Sequence, residues 1–342
     1  MAHSSPHPQG GQRTFTKLLI VLLFGFTLVQ KIVVVWQIRL APSVDPWSGL
    51  DTTAYVELAQ RVIAGDWGLG PGLYYLSPFY IYFLALALKF TGSFTAVRLV
   101  QAFLGTAAIW FMYQTAREWF TDRAAWLTVL LAGCTGLFAF YDALILQTGV
   151  DLFLTSAALL CLTYALRASE GARWTSDAGP WTAAAGISFG LQTLNRPNVA
   201  IAVAGLVLTL TVLRRWRFAA VLAAGLFIGI APAAVRNLVV AHEFSLLSSH
   251  GGLNFYLGNG EGATGFYRFI PGITPTIKGQ ANDVRVVAGN ALGRQVTDAE
   301  ASDYFMNLTW SWIAAHPGSA AFLMVRKFGW VFHAQHVPLP YS

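Results

Sequence analysis

The sequence predicts an all-α polytopic membrane protein. Of its 342 residues, 55% are hydrophobic and only 11% are charged, and the mean hydropathy is +0.53. Soluble domains carry roughly 25% charged residues, so the composition excludes that class. Most basic residues lie in short turns between apolar segments, where they set the orientation of a membrane chain. The net charge of +6 therefore indicates no nucleic-acid partner, and the lipid bilayer is the expected surroundings.

The chain begins with a polar tail at 1–14, which we expect to be disordered and cytoplasmic. A first spanning segment is predicted at 15–38. Its apolar run is longer than the core of a signal peptide, and no small-residue cleavage site follows it. We therefore expect an uncleaved anchor.

The rest of the chain is organised around the stretch at 48–92. Asp51 opens a short predicted helix, and a glycine-rich turn leads to an aromatic run that ends in Ser77 and Pro78. The apolar piece at 78–90 would make a helix of roughly 20 Å, shorter than a hydrocarbon core about 30 Å thick. We expect this piece to lie at the membrane surface or to enter the membrane only partway.

Six further spans are predicted, and the positive-inside rule decides their orientation. If the piece at 78–90 does not cross, three arginine turns face the cytoplasm, whereas all three face outward if it crosses. The topology in which the piece at 78–90 does not cross the membrane is therefore preferred. The spans are 97–116, 124–141, 152–166, 181–194, 199–213 and 218–235. The turns contain Arg117 with Arg123, Arg167 with Arg173, and Arg214, Arg215 and Arg217.

Several of these spans are only about 15 residues long, which favours tilted or sheltered helices around a cavity. Gly186 and Gly190 have small-xxx-small spacing and would let the fifth span approach a neighbour closely. Glycine is also common in membrane helices without such a role.

Three regions follow from this count: the tail at 1–14, a multi-span core at 15–237 with an outer loop at 39–96, and an outer loop or subdomain at 238–342. The last region opens with a polar, glycine-rich stretch that cannot lie in hydrocarbon.

Two helices are predicted near the C-terminus. Thr297 and Glu300 have the spacing of a capping box, which marks a helix start. The terminal apolar piece at 319–332 carries Arg326 and Lys327 in its middle. It is therefore expected to be an amphipathic surface helix and not a span.

Ionisable residues at membrane depth or at helix ends are functional candidates, because their desolvation costs several kcal/mol without a partner or a task. Asp51 is the first, and a helix N-cap is its alternative role. Asp151 could likewise be functional or cap its helix, and Asp142 is a third candidate. Arg196 and Arg236 either snorkel to lipid head groups or bind an anionic ligand bidentately, for which lipid-linked phosphate would be suitable.

The histidines show no metal-ligand spacing and are interpreted as surface residues: His242, His250, His316, His333 and His336. The sequence predicts no cofactor; it does not support a divalent metal, nor does it exclude one. The run Gly258 to Gly262 is not a nucleotide loop, because no strand and helix flank it.

Six motifs are spread over nearly the whole chain. They are Asp51-x-x-x-Tyr55 in a long first outer loop, Tyr74-Tyr75-Leu76-Ser77-Pro78, Asp151 at the third outward turn, Asn195-Arg196-Pro197, Ala231-Pro232-x-x-x-Arg236-Asn237, and Gly252-Leu253-Asn254-Phe255-Tyr256-Leu257-Gly258-Asn259. Together they resemble GT-C glycosyltransferases. The nearest kind is the bacterial group similar to dolichyl-phosphate-mannose protein mannosyltransferases and to the aminoarabinose transferase of lipid A.

The resemblance implies a polyprenyl-phosphate sugar donor and an acceptor protein or glycolipid, which meet at the outer face of a bacterial inner or plasma membrane. Asp51 then holds the position of the catalytic carboxylate, and Asp151 matches the second outer-loop acidic position. We expect Arg236 and Arg196 to contact the donor phosphate. The residues expected to line the substrate cavity are Tyr55, Tyr75, Asn254, Tyr256 and Asn259.

Two features depart from the family pattern. Relatives often carry a basic residue or histidine where this chain has Ser77, so the phosphate contact must come from elsewhere. Relatives are also usually longer, and we expect either a minimal member or a truncated chain. Two other classes remain: a non-catalytic pseudoenzyme, and a transporter of lipid-linked substrates, for which the sequence lacks the repeat between halves.

Overall fold

The structure, a computed structural model, describes residues 9–47, 51–169 and 174–332. The start of the predicted tail, Arg173, His333 and His336 lie outside these residues. The described chain is helical and contains no strand, which confirms the all-α class. The helices are α1 (Gln9–Ile38), α2 (Asp51–Ile63), α3 (Pro78–Thr91), α4 (Phe94–Trp119), α5 (Asp122–Cys134), α6 (Gly136–Ala143), α7 (Thr148–Arg167), α8 (Ala178–Asn195), α9 (Val199–Val212), α10 (Trp216–Arg236), α11 (His250–Asn259), α12 (Ile277–Leu292), α13 (Asp298–Ala315) and α14 (Pro317–Val331).

Among the described residues, four helices are long and apolar enough to cross a membrane. A fifth candidate is the pair α5 and α6, which is bent by 55°. These helices make the chain an integral membrane protein. The four single helices lie at Val21–Ile38, Phe94–Trp119, Thr148–Arg167 and Trp216–Ala241.

Every predicted span falls on a helix, but three details differ. The first helix already begins at Gln9, inside the predicted tail. The span predicted at 124–141 is broken, because Thr135 between α5 and α6 has an extended backbone with φ −77° and ψ 100°. The fifth and sixth predicted spans, α8 and α9, are not among the described helices that are long and apolar enough to cross a membrane. With 14 residues, α9 is only about 21 Å long.

The segment between α1 and α4 holds two helices that pack together. On α2, Tyr55, Val56, Ala59 and Val62 recur at helical spacing and are all buried. They pack with the buried face of α3, which has 14 residues and is also about 21 Å long. The short apolar piece predicted at 78–90 is therefore part of the protein core on one face.

Helices α11 to α14 form the C-terminal helical subdomain. Its core joins Leu253 of α11, Val284 of α12 and Phe305 of α13. The predicted capping box is present: the Thr297 hydroxyl accepts from the backbone N–H of Glu300 at 3.3 Å, and the Glu300 carboxylate accepts from that of Thr297 at 2.9 Å. These two bonds fix the start of α13.

A charged pair lies inside the helix bundle. Lys31 of α1 donates to the carboxylate of Asp142 in α6, and both side chains are almost fully buried. Gly105 of α4 faces this carboxylate, and a Cβ there would collide with it. Asp142, a functional candidate from the sequence, is thus the partner of a membrane lysine and an anchor between helices.

The close approach predicted from Gly186 and Gly190 is confirmed, and its partner is α10. A Cβ at Gly186 would lie 2.9 Å from the Cα of Gly225, and one at Gly190 would lie 2.7 Å from the Cα of Gly229. Matching glycines at the same spacing therefore face each other on two parallel helices.

Alanine at Gly190 should lower the free energy of unfolding by about 1 to 3 kcal/mol, because its Cβ would overpack the backbone of α10. Gly205→Ala in α9 is the matched control, since no atom of the residues that the structure describes lies within 4 Å of a Cβ built there. The free energy of unfolding of both purified variants is measured in mixed detergent. Equal stability of the two variants would contradict the close contact.

Candidate functional site

A cavity of about 550 Å³ opens where α2, the aromatic run before α3, the connection from α8 to α9, and α11 meet. We call it the polar cavity. Six of the nine site residues predicted from the sequence line it: Asp51, Tyr55, Tyr75, Arg196, Asn254 and Asn259. Further lining residues are Leu76, Ser77, Gln147, Pro197, Asn198, Ser248, His250, Gly251, Phe255 and Ile277.

Asp51 is the first residue of α2, and its side chain is open to the polar cavity. Among the described residues, none donates a hydrogen bond to its carboxylate, so the alternative role as an N-cap has no bond to support it. Surrounding protein atoms displace water although the group stays accessible through the cavity. This desolvation raises the pKa of Asp51 above its ordinary value.

Tyr55 lies one turn along α2 and is fixed from two sides. Its hydroxyl donates to Gln147 Oε1 at 2.6 Å, and its ring meets that of Tyr80 edge to face at 5.1 Å. Tyr80 in turn donates to Gln101, whose amide donates to two backbone carbonyls at the end of α6. Burial raises the pKa of Tyr55, so the phenol stays protonated near neutral pH.

Arg196 follows the last residue of α8 and is held by Asp151 of α7. Arg196 Nε donates to Asp151 Oδ2, and Arg196 Nη2 donates to the Thr148 hydroxyl at 3.3 Å. The same carboxylate accepts from Asn195 Nδ2 at 2.6 Å and from Gln192 Nε2 at 3.1 Å. Asp151 is thus placed behind Arg196 and does not line the polar cavity.

Arg236 and Tyr256 also lie outside the polar cavity, contrary to expectation. Arg236 donates to backbone carbonyls of the glycine-rich turn, and its guanidinium lies 4.4 Å from the ring centre of Tyr74. Tyr256 packs against Phe305 in the core of the C-terminal helical subdomain, with Arg268 over its ring at 4.9 Å. Both side chains are committed to other contacts.

His250 was interpreted from the sequence as a surface residue, and this is wrong. It begins α11, lines the polar cavity and stacks on Tyr75 at 4.5 Å between ring centres. Its Nε2 is buried and has no hydrogen-bond partner among the described residues. Burial lowers the pKa of His250 to about 4, so the ring is neutral at physiological pH. Its position just before the motif at 252–259 was the one available signal.

The polar cavity thus combines one arginine and one carboxylate that has no partner among the described residues with hydroxyls, amides and a neutral imidazole. Such a set can bind an anion beside a group rich in hydroxyls. The part of the chain that the structure describes contains no group of three or more His, Cys, Asp or Glu that could hold a metal ion.

Residues 76–236 match the family model of the dolichyl-phosphate-mannose-protein mannosyltransferases. The match runs from the aromatic stretch in front of α3 to the last residue of α10, and includes Arg196 and Asp151. Comparisons with curated proteins and with solved structures gave no match. The resemblance to GT-C glycosyltransferases is thereby confirmed, and the chain is similar over residues 76–236 to the dolichyl-phosphate-mannose-protein mannosyltransferase family.

Proposed function

We propose that this membrane glycosyltransferase moves a sugar from a polyprenyl-phosphate donor to the hydroxyl of an acceptor protein or glycolipid on the outer face of the membrane. One observation carries the proposal: Asp51, without a partner among the described residues, shares the polar cavity with Arg196. The family match over 76–236 supports sugar transfer in general.

The chemistry assigned to Asp51 is general-base catalysis. Its carboxylate accepts the proton of the acceptor hydroxyl while the hydroxyl oxygen forms a bond to the anomeric carbon. The bond from that carbon to the phosphate oxygen breaks, and its electron pair leaves with the polyprenyl phosphate. A raised pKa makes Asp51 a stronger base than an exposed carboxylate.

The role assigned to Arg196 is to stabilise the negative charge that grows on the leaving phosphate. Its contacts with Asp151 and Thr148 orient the guanidinium and leave N–H groups free of described partners at the polar cavity. Asp151 accepts three donors already, so we assign it the positioning of Arg196 in place of a catalytic role.

The neutral polar groups of the cavity are assigned to the sugar. Amides and hydroxyls recognise sugar hydroxyls without adding charge, and the flat faces of Tyr75 and Phe255 suit an apolar sugar face. His250 belongs to this neutral set, because burial keeps it unprotonated.

Asp51→Asn should reduce sugar transfer by at least about a hundredfold, because an amide takes no proton and carries no charge. Expression, thermal stability and donor binding should stay near those of the parent, since asparagine is nearly isosteric with aspartate. Transfer from a radiolabelled polyprenyl-phosphate sugar in reconstituted vesicles is the measurement.

Glu57→Gln is the matched control, because Glu57 lies on the same helix but does not line the polar cavity. It should leave transfer within a few-fold of the parent. If Asp51→Asn also stays within a few-fold, Asp51 is structural. If the parent protein binds the donor but transfers no sugar, the alternative of a non-catalytic pseudoenzyme is supported and the proposed function is wrong.

Arg196→Ala should weaken donor binding by roughly tenfold to over a hundredfold, the value of one charge-assisted bond to phosphate. Asp151→Asn should give a smaller loss of the same kind, with transfer at saturating donor little changed. A large fall in kcat with unchanged donor affinity in Asp151→Asn would instead make Asp151 catalytic. Arg123→Ala, in a predicted cytoplasmic turn, serves as the control.

Cysteines placed at Phe120 and Glu261, in a chain lacking Cys134 and Cys161, should report the two faces of the membrane. A membrane-impermeant thiol reagent should label position 261 in intact cells, and position 120 only after permeabilisation. Both positions are exposed, so accessibility depends on the side of the membrane. The reverse pattern would invert the orientation and rule out an outer active site.

A further inference from the structure

We infer that Arg236 and Asn237, at the end of α10, are positioning residues that hold together the two loops forming a wall of the polar cavity. We call this arrangement the clasp; it consists of these two side chains and the backbone carbonyls they bind at 68, 70, 72, 245 and 247. Its part in catalysis rests on the proposed function, whereas its geometry does not.

Arg236 holds the first loop of the clasp, which lies at 64–77 between α2 and α3. Its Nε and one Nη2 hydrogen are directed at the carbonyl of Gly68, the other Nη2 hydrogen at that of Gly70 (2.6 Å), and Nη1 at that of Gly72 (2.6 Å). Nη1 also donates to the Asn237 side-chain oxygen at 3.2 Å. All five N–H groups of the guanidinium therefore have acceptors, and none remains for a phosphate.

The backbone of this loop makes the contact possible. Leu69 and Gly70 both have positive φ, 57° and 88°, in the left-handed region. This turn lets alternate carbonyls point to one side, toward the guanidinium. The ring of Tyr74 then covers the guanidinium at 4.4 Å.

Asn237 holds the second loop of the clasp, which lies at 242–249 before α11. The Asn237 side chain is fully buried. Its Nδ2 donates to the carbonyls of Ser245 at 3.0 Å and of Leu247 at 2.8 Å. The two loops also bind each other, because the backbone N–H of Ser249 donates to the Tyr74 carbonyl at 2.8 Å. Adjacent side chains at one helix end thus fix both loops relative to the core.

The C-terminal helical subdomain also contacts the first loop. Asp298, at the start of α13, accepts the backbone N–H of Leu73 at 2.9 Å, and Arg285 Nε lies 3.4 Å from its other oxygen. A Cβ at Gly72 would lie 2.5 Å from Asp298 Oδ2, so a larger residue there would displace this carboxylate from its contact with the loop. The guanidinium of Arg236 thus binds the loop carbonyls, and the carboxylate of Asp298 binds a loop N–H.

The clasp lies directly beside the polar cavity. Tyr75, Leu76 and Ser77 follow the first loop by a few residues, and Ser248 and His250 follow the second. Since the stacked pair Tyr75 and His250 joins the residues that follow the two loops, loosening either loop would displace groups assigned to the sugar.

Hydrogen–deuterium exchange of the full chain in lipid nanodiscs, without any ligand, tests the clasp. Arg236→Met keeps a long side chain but removes every donor. We expect exchange of the amides at 68–76, and of Ser249, to become at least about tenfold faster. Arg236→Lys should be intermediate, because lysine offers three donors and no planar fork. Arg217→Met, at the other end of α10, should change neither segment.

Asp298→Ala separates positioning from phosphate binding, because it removes a loop contact and no cation. We expect it to accelerate exchange at 68–76, Leu73 included, and we expect both Asp298→Ala and Arg236→Met to lower sugar transfer. Unchanged exchange in Arg236→Met together with a loss of donor affinity would make Arg236 a phosphate ligand and overturn the inference.

The exchange measurements also keep the two proposals apart. A parent protein without transfer activity would defeat the proposed function, and the clasp would still be decided by exchange. If Arg236→Met fails to fold, Arg236→Lys and Asp298→Ala decide the matter; normal exchange at 68–76 in both would overturn the clasp.

Discussion

The close contact between α8 and α10 is the constraint on which the site depends. Because glycine faces glycine at two levels, the helices run parallel with their backbones nearly touching. Their C-terminal ends therefore emerge side by side. One is followed by Arg196, which lines the polar cavity, and the other ends in Arg236-Asn237, which holds the surrounding loops. The spacing of the two helices thus sets the spacing between the phosphate-binding candidate and the cavity wall.

The charges of this region are divided between structure and chemistry. Asp151, Asp142 and Asp298 each have a cationic partner and hold helices or loops in place. Asp51 has none among the described residues and faces the polar cavity. An accessible carboxylate with a raised pKa suits the general base of the proposed function.

Local patterns predicted much of the fold. The capping box at Thr297, the helix opened by Asp51 and the close-packing face at Gly186 can each be recognised from a few neighbouring residues, and the structure confirms them. The contacts of Arg236 could not be predicted, since four of its five hydrogen bonds go to backbone carbonyls more than 160 residues away. His250 was missed for a similar reason: its burial comes from stacking on Tyr75, which no spacing reveals.

The ion pair between Lys31 and Asp142 has a consequence for how the chain enters the membrane. The first helix is synthesised 111 residues before its acidic partner. A lone lysine near the middle of a span makes insertion less favourable by roughly 3 kcal/mol, and by less toward the helix end. Until α6 arrives, the apolar stretch at Val21–Ile38 must offset this cost by itself. The later segment then supplies the partner of Lys31, so we expect the first helix to gain stability in the membrane only after α6 has inserted.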